Sequence, residues 1–303
     1  MIDHKSYELG LIGWPVEHSL SPIIHNAALK ASRLEGSYRL YPIPPDANLN
    51  SGLSDLFNAV RSFELAGLNI TIPHKIATIP LLDSLTPAAA QIGAVNTVFL
   101  EDGNLCGDNT DAQGFINDLN TKLPAFEDEK TALVLGAGGS SRAVTYGLAQ
   151  EGWKVIIAAR RLEQAQELAS DLDPNMTLSI NTASLDRKNL ETIHPALIVN
   201  TTPVGMAPNT LSSPWPDDLR LPESAAIYDL VYNPNETLLI KTARQAGLKA
   251  YNGLGMLVEQ AAISFERWTG HPAPRETMHL AVRENITLCL LYTSDAADEE
   301  DSV

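Results

Sequence analysis

Leu135, Gly136, Ala137, Gly138, Gly139, Ser140 and Ser141 make a glycine-rich turn directly after the apolar run Thr131 to Leu135 and before the helix-patterned run Arg142 to Gln150. Glycines let a backbone turn tightly and come close to a pyrophosphate, and the free N–H groups that open the next helix supply partial positive charge. The plainer alternative is a tight strand-to-helix turn with no ligand. Context favours the ligand, because a second apolar run, Val155 to Ala159, completes the strand, turn, helix, strand order that such a site needs. A dinucleotide with a free ribose 2′-hydroxyl requires Asp or Glu about 20 residues on, and this chain carries Arg160 and Arg161 there. Guanidinium groups are planar forks of donors that suit phosphate oxygens, so the residues point to the 2′-phosphate of NADP. The alternative is a pair of solvated arginines at a helix start. Ser141 stands where the strict fingerprint has a third glycine, and its small side chain still allows close helix packing.

Three N-terminal segments gather polar side chains where strands are expected to end. One is Gly13 to Pro22, with Ser19 and Ser21 two residues apart before a helix. The second is Gly67 to Lys75, in which Asn69 and Thr71 share one face of a strand because side chains alternate. The third runs from Gly93 through Asn96 to Thr97, and continues at Gly107 to Gly114 with Asp111. Singly, each has a structural explanation: a serine as helix N-cap, Asn96 and Asp111 as turn formers, Lys75 as a solvated helix residue. Together they offer hydroxyls, amides, one ammonium and one carboxylate, the inventory for a small polyhydroxylated acid.

The elements that must position these groups read as α/β throughout, with mostly parallel strands. Strand-length runs at Glu8 to Ile12, Tyr38 to Ile43 and Leu68 to Ile72 alternate with helical patterns at Ile23 to Ala31 and Leu53 to Phe63. A second series follows at Thr131, Val155 to Ala159, Leu197 to Val199, Ala226 to Val231 and Lys249 to Tyr251. The stretch from Pro203 to Pro222 is too rich in proline for a helix and reads as a loop. Leu257, Ala261 and Phe265 recur at helical spacing and predict a helix over Leu254 to Trp268 that returns to the first domain.

A chain of 303 residues exceeds the usual size of one hydrophobic core, so two domains are expected. Cys106 and Cys289 are the only cysteines and lie far apart, which gives neither a disulfide framework nor a clustered zinc site. His18 and His74 lie inside the polar segments but lack partners at metal spacing, so no metal is assigned. The formal net charge of −16 argues against nucleic acid, whose phosphates need a basic surface. No signal peptide and no run of about 18 uninterrupted apolar residues occurs, so no membrane partner and a cytoplasmic setting are expected. Residues 292–303 change character, with five acids and no base, and read as a disordered or non-native acidic tail.

The chain resembles the shikimate dehydrogenase family in eight ordered blocks. They are Ser19 to Pro22, Asn69 to Lys75, Gly93 to Val98, Asn109 to Asp111, Gly136 to Gly139, Asn200 to Met206, Asp229 to Pro234 and Gly253 to Ala261. The resemblance implies reversible NADPH-dependent reduction of 3-dehydroshikimate to shikimate in aromatic amino-acid biosynthesis. It implies an N-terminal α/β substrate domain (1–112), a Rossmann-like NADP-binding domain (113–250) and C-terminal helices (251–291) packed back on the first domain. Lys75 and Asp111 would be the catalytic pair. Ser19, Ser21, Asn69, Thr71, Asn96, Tyr232 and Gln260 would bind substrate. Gly136, Ala137, Gly138, Gly139, Ser140, Arg160, Arg161, Leu230 and Gly253 would bind the cofactor, and the protein would be a monomer or homodimer. One departure touches the cofactor end: the family's usual Asn-Arg-Thr or Asn-Arg-Ser reads Ala159, Arg160, Arg161 here, and Arg161 adds a charge that compensates for the lost polar position. Two rival readings are an NAD-dependent quinate dehydrogenase and a non-catalytic ligand-binding relative. The arginine pair and the retained lysine and aspartate stand against them.

Overall fold

The structure, a computed structural model, describes residues 6–45, 49–123 and 130–286, so the acidic tail expected at 292–303 lies outside the described residues. The first half builds a six-stranded mixed sheet from β1 (Tyr7–Gly13), β2 (Gly36–Pro42), β3 (Gly67–Ile70), β4 (Ser84–Leu85), β5 (Thr97–Glu101) and β6 (Asn104–Asp108), in the order β2-β1-β3-β5-β6-β4. Helices α1 (Ser21–Ala31), α2 (Leu49–Arg61) and α3 (Pro87–Ile92) lie between these strands in the chain. β1 pairs in parallel with both β2 and β3, as the alternating pattern predicts. The expectation of mostly parallel strands holds, with β5 the exception, since it runs antiparallel to both β3 and β6. The cause is a tight hairpin at Asp102 (φ 50°) and Gly103 (φ 81°), two successive left-handed residues whose twist matches that of the strands they join. β3 is also shorter than its apolar run, stopping at Ile70 before Pro73.

The second half holds α4 (Thr110–Lys122), β7 (Thr131–Leu135), α5 (Gly139–Gln150), β8 (Lys154–Ala159), α6 (Leu162–Leu172), β9 (Ile180–Ser184), α7 (Arg187–Leu190), β10 (Leu197–Asn200), β11 (Ala226–Asp229), α8 (Leu238–Gln245), β12 (Ala250–Asn252) and α9 (Leu254–Thr269). A further helix, α10, runs over 275–286. The six strands form one sheet in the order β12-β11-β10-β7-β8-β9, every pair parallel. Counted from β7 this is the dinucleotide-binding order, with the switch point between β7 and β10. Residues buried on both faces, such as Leu133, Val134, Ile157 and Val199, explain why these strands read as unbroken apolar runs.

Helix α9 joins the two halves. Its start, Met256, packs in the core over β7 and β8 with Phe115 and Leu119 of α4. Further along, Val258, Ala261, Phe265 and Trp268 enter the core of the first sheet beside Leu9, Leu11 and Ile24. Each fully buried side chain of this size contributes about 1.5–3 kcal/mol, so the return of α9 is a main source of cohesion. α4 and α9 approach closely because residue 114 is glycine: a Cβ there would lie 2.6 Å from the Gln260 backbone nitrogen.

His25, fully buried on α1, stacks flat on Tyr38 at 4.3 Å between ring centroids, and neither ring nitrogen has a hydrogen-bond partner. Burial lowers its pKa from 6.5 to about 3. The unfolded chain therefore takes up this proton near pH 6.5 and the folded chain does not until about pH 3, so protons favour unfolding across that window. The stability present above pH 6.5 falls as pH drops, by about 2 kcal/mol at pH 5 from this group alone. Denaturant titrations at the two pH values should show that loss in the wild type and a smaller one in His25→Phe, which keeps the stacked ring. Equal losses would remove His25 from the account.

Candidate active site

Four polar segments meet at one edge of the mixed sheet, and strand direction is the reason. β1 and β3 are parallel, with Ile12 opposite Ile70, so the segments that follow them leave from the same edge. β5 is antiparallel to β3, which puts its beginning, Asn96 and Thr97, at that edge too. β6 is antiparallel to β5, so its end at Asp108 returns there and α4 starts from it. Backbone bonds lock the convergence: Trp14 N donates to Ile72 O (2.9 Å), Ile70 N to Asn96 O (2.8 Å) and Asn96 N to Asp108 O (3.0 Å).

Lys75 is held from behind. His74 is buried and its Nε2 lies 2.6 Å from Ile43 O, Thr78 Oγ1 donates to His74 O, and Val95 N donates to Lys75 O at 2.8 Å. The ammonium reaches Asp111 Oδ2 at 2.5 Å, with side chains only 14% and 9% exposed. Asp111 sits in the first turn of α4, where the N-cap Asn109 accepts a bond from its backbone N–H and the helix end favours negative charge. A charge-assisted bond with this little solvent fixes the ammonium in place far better than an exposed pair would.

Asn96 completes the pair from the other side. Its Oδ1 accepts from Thr110 N (2.8 Å), a donor that cannot reverse, so the orientation of the amide is decided and Nδ2 faces Asp111 Oδ1 (2.8 Å). The same Nδ2 reaches Gln260 Oε1 at 3.4 Å, which draws α9 into the group. Asn69 lies deeper: Nδ2 donates to Asn96 O, Thr97 Oγ1 and Ser264 Oγ, and Oδ1 accepts from Tyr38. Ser19 and Ser21 precede and open α1, and Ser19 Oγ accepts from Ser21 N at 3.2 Å. The N-cap of α1 is Leu20, without a side-chain bond, so neither serine serves as the cap. Thr71 follows β3 at the same edge, half-buried. Tyr232 is on the other domain, where burial pushes its hydroxyl pKa up.

Thr97, Thr110, Ser264 and Tyr38 belong to this buried network, and the sequence reading omits them as functional residues. A signal existed for Ser264: it lies one turn beyond Gln260 on a helix face otherwise apolar.

The glycine turn lies at the carboxyl end of β7, beside the end of β8, with Gly136 N donating to Ala158 O (2.8 Å). Gly136 has φ 113°, a conformation open to glycine, and Ser141 Oγ donates to Gly136 O, so the residue in place of the third glycine braces the turn. Gly138 is the N-cap of α5 with no side chain to satisfy the first N–H groups, and the space over Gly138 and Gly139 is open. Ala137 and Ser140 flank them, half-buried. Arg160 and Arg161 leave β8 next to this turn, both exposed. A pyrophosphate on the turn with a phosphate near the arginines fits this donor set. Across the switch point, Asn200 Nδ2 donates to Asp229 Oδ1 (2.8 Å) and Leu230 N donates to Asn200 O (2.9 Å), while Gly253 backs onto the Leu230 carbonyl. Burial raises the Asp229 pKa, against bonds from Thr237, Val231 and Asn200. Among the described residues no helix is long and apolar enough to cross a membrane, and no group of three metal-ligating side chains forms.

Compared with known proteins, residues 11–98 match the shikimate dehydrogenase substrate binding domain, 119–195 the shikimate / quinate 5-dehydrogenase family and 253–283 the shikimate 5′-dehydrogenase C-terminal domain. The shikimate dehydrogenase (NADP(+)) of Salinibacter ruber is 40% identical over 288 residues, covering 93% of this chain and 99% of that protein. The crystal structure of shikimate 5-dehydrogenase from Thermus thermophilus in complex with NADP(H) and shikimate superposes with a TM-score of 0.78 at 37% identity, covering 92% of this chain and 99% of that one. A quinate dehydrogenase from Corynebacterium glutamicum in complex with NAD superposes at 0.84 with 30% identity, covering 92% and 99%. By sequence and fold, the chain belongs to the family of NADP-dependent shikimate dehydrogenases, which are oxidoreductases.

Proposed function

We propose that this protein catalyses the reversible NADPH-dependent reduction of 3-dehydroshikimate to shikimate in the cytoplasm, as a monomer or homodimer, with Lys75 and Asp111 as the catalytic pair. The observation that carries the reading is the Lys75–Asp111 contact of 2.5 Å, closed by Asn96 at a sheet edge that also presents Ser19, Ser21 and Thr71. Bound NADPH supplies the hydride to the substrate ketone. Negative charge then develops on the ketone oxygen, and the Lys75 ammonium stabilises it and donates the proton. Asp111, ionised, holds that ammonium and accepts a hydrogen bond from a substrate hydroxyl. In the reverse direction neutral Lys75 takes the hydroxyl proton. Ser19 and Ser21 bind the carboxylate, while Thr71, Asn96 and Gln260 orient the hydroxyls with Tyr232 nearby and Asn69 behind. The glycine turn from Gly136 to Ser140, together with Arg160, Arg161, Leu230 and Gly253, holds the cofactor.

Purified protein with shikimate and NADP should give rapid nicotinamide reduction at the characteristic absorbance, and much slower reduction with NAD or with quinate. Turnover chiefly of quinate with NAD would move the protein to the quinate branch of its fold. Failure of every pair would leave a ligand-binding relative.

A further inference from the structure

Behind the Lys75–Asp111 pair lies a cluster of six polar side chains, Tyr38, Asn69, Asn96, Thr97, Thr110 and Ser264, none more than 5% exposed. They come from five elements or their flanks, and the bond between Asn69 and Ser264 spans 195 residues of chain. Buried polar groups of this density are costly unless each donor finds an acceptor, so the bond directions can be followed. Asn96 Oδ1 takes the Thr110 N–H and the Thr97 hydroxyl (3.0 Å). Thr97, having given its proton to Asn96, must have its oxygen supplied from the other side. Ser264 Oγ at 2.8 Å and Asn69 Nδ2 at 3.1 Å are placed to do so. Asn69 keeps its NH₂ turned toward Thr97 because the same group donates to Asn96 O (3.0 Å), a carbonyl that can only accept, and its own carbonyl end takes the Tyr38 hydroxyl at 2.8 Å. Ser264 also approaches Thr110 Oγ1 (3.2 Å) and Gln260 O (3.1 Å).

We propose that Tyr38 and Ser264 are positioning residues of the active site: they hold Asn69 and Thr97 in place, and through them steady the Asn96 amide, whose direction the Thr110 N–H sets and on which Asp111 and Gln260 depend. Tyr38 closes the carbonyl end of Asn69 and keeps the side chain from shifting. Ser264 ties α9 to the start of β5 and α4, so that Gln260, one turn earlier on α9, keeps its register with Asp111. Neither residue needs to touch substrate for this. The inference rests on the proposed chemistry only in that Asn96, Asp111 and Gln260 meet the substrate.

The test uses Tyr38→Phe, which keeps the ring on His25, and Ser264→Ala, each in the wild-type and Asn96→Ala backgrounds, with shikimate and NADP. Each variant should lower kcat about three- to tenfold in the wild-type background, the scale of one buried hydrogen bond. The KM for NADP should not move. In the Asn96→Ala background the further loss should shrink to less than about twofold, because residues that act through one another are not additive. Ser264→Thr, which restores the hydroxyl, should recover most of the activity, and thermal melting of each variant separates lost folding from lost positioning. A kcat unchanged in both variants, or a loss equally large without Asn96, overturns the proposal. Wild-type protein that fails to turn over shikimate would instead refute the catalytic reading beneath it, and the two failures are distinguished in the same assay.

Discussion

Lys75→Ala should reduce kcat for shikimate oxidation by about 10²- to 10⁴-fold, the usual contribution of one positioned acid or base, with a much smaller change in the KM for shikimate. The asymmetry follows from where the ammonium acts. It sits against Asp111 at 2.5 Å, and in the proposed reaction its task grows only as charge develops on the reacting oxygen. An interaction made chiefly in the transition state shows up in kcat rather than in KM. Removing the ammonium also leaves the Asp111 carboxylate, 9% exposed, with Asn96 as its remaining strong partner, so some loss of stability should accompany the loss of rate. Steady-state kinetics beside a denaturant titration measures both. A variant with intact kcat and a raised KM would make Lys75 a binding residue and would require another proton donor.

Removing both arginines after β8, by Arg160→Ala with Arg161→Ala, should cut kcat/KM for NADPH by about 10²- to 10³-fold and leave NADH nearly untouched. A hydrogen bond to a charged group is worth about 1.5–3 kcal/mol, and a forked guanidinium makes two such bonds to one phosphate. Arg161 is the N-cap residue of α6 and offers no side-chain capping bond, and both side chains stand exposed beside the glycine turn, so the substitutions remove charge without removing packing. The wild-type preference for NADPH over NADH should fall toward one. Equal losses with the two cofactors would mean that the arginines act on the fold or on the shared pyrophosphate, and no loss at all would return them to being solvated helix residues.

Much of the second domain is legible from local pattern. Unbroken apolar runs at Thr131 to Leu135 and Val155 to Ala159 fit strands covered on both faces, and the glycine turn between them points to the ligand class. The expected loop from Pro203 to Pro222 contains no helix or strand, for the reason proline imposes: no N–H to give and a fixed φ. The first domain is less legible. α3 is only six residues long, too short for a helical period to show, although Thr86 as N-cap, Pro87 after it and Gly93 at φ 69° are its punctuation. Asp102–Gly103, between the apolar runs Val98 to Leu100 and Leu105 to Cys106, is a hairpin signal, yet the runs read as strands do not include β5 and β6.

Residue types and spacing by themselves determined the α/β class, the cofactor turn with its two arginines, and the short inventory of an ammonium, a carboxylate, amides and hydroxyls suited to a polyhydroxylated acid. Only the tertiary structure decided that these groups share one sheet edge, because that depends on β5 running against β3 and on α9 crossing back between domains. It also decided which way Asn96 faces and that Ser264 bonds into the polar network behind Lys75 and Asp111. The physical reason is the same in each case: a periodic pattern records what a residue's neighbours along the chain require, whereas the direction of a strand or the orientation of a buried amide is set by partners far away in sequence, such as the Asn96 carbonyl for Asn69, and has no local trace.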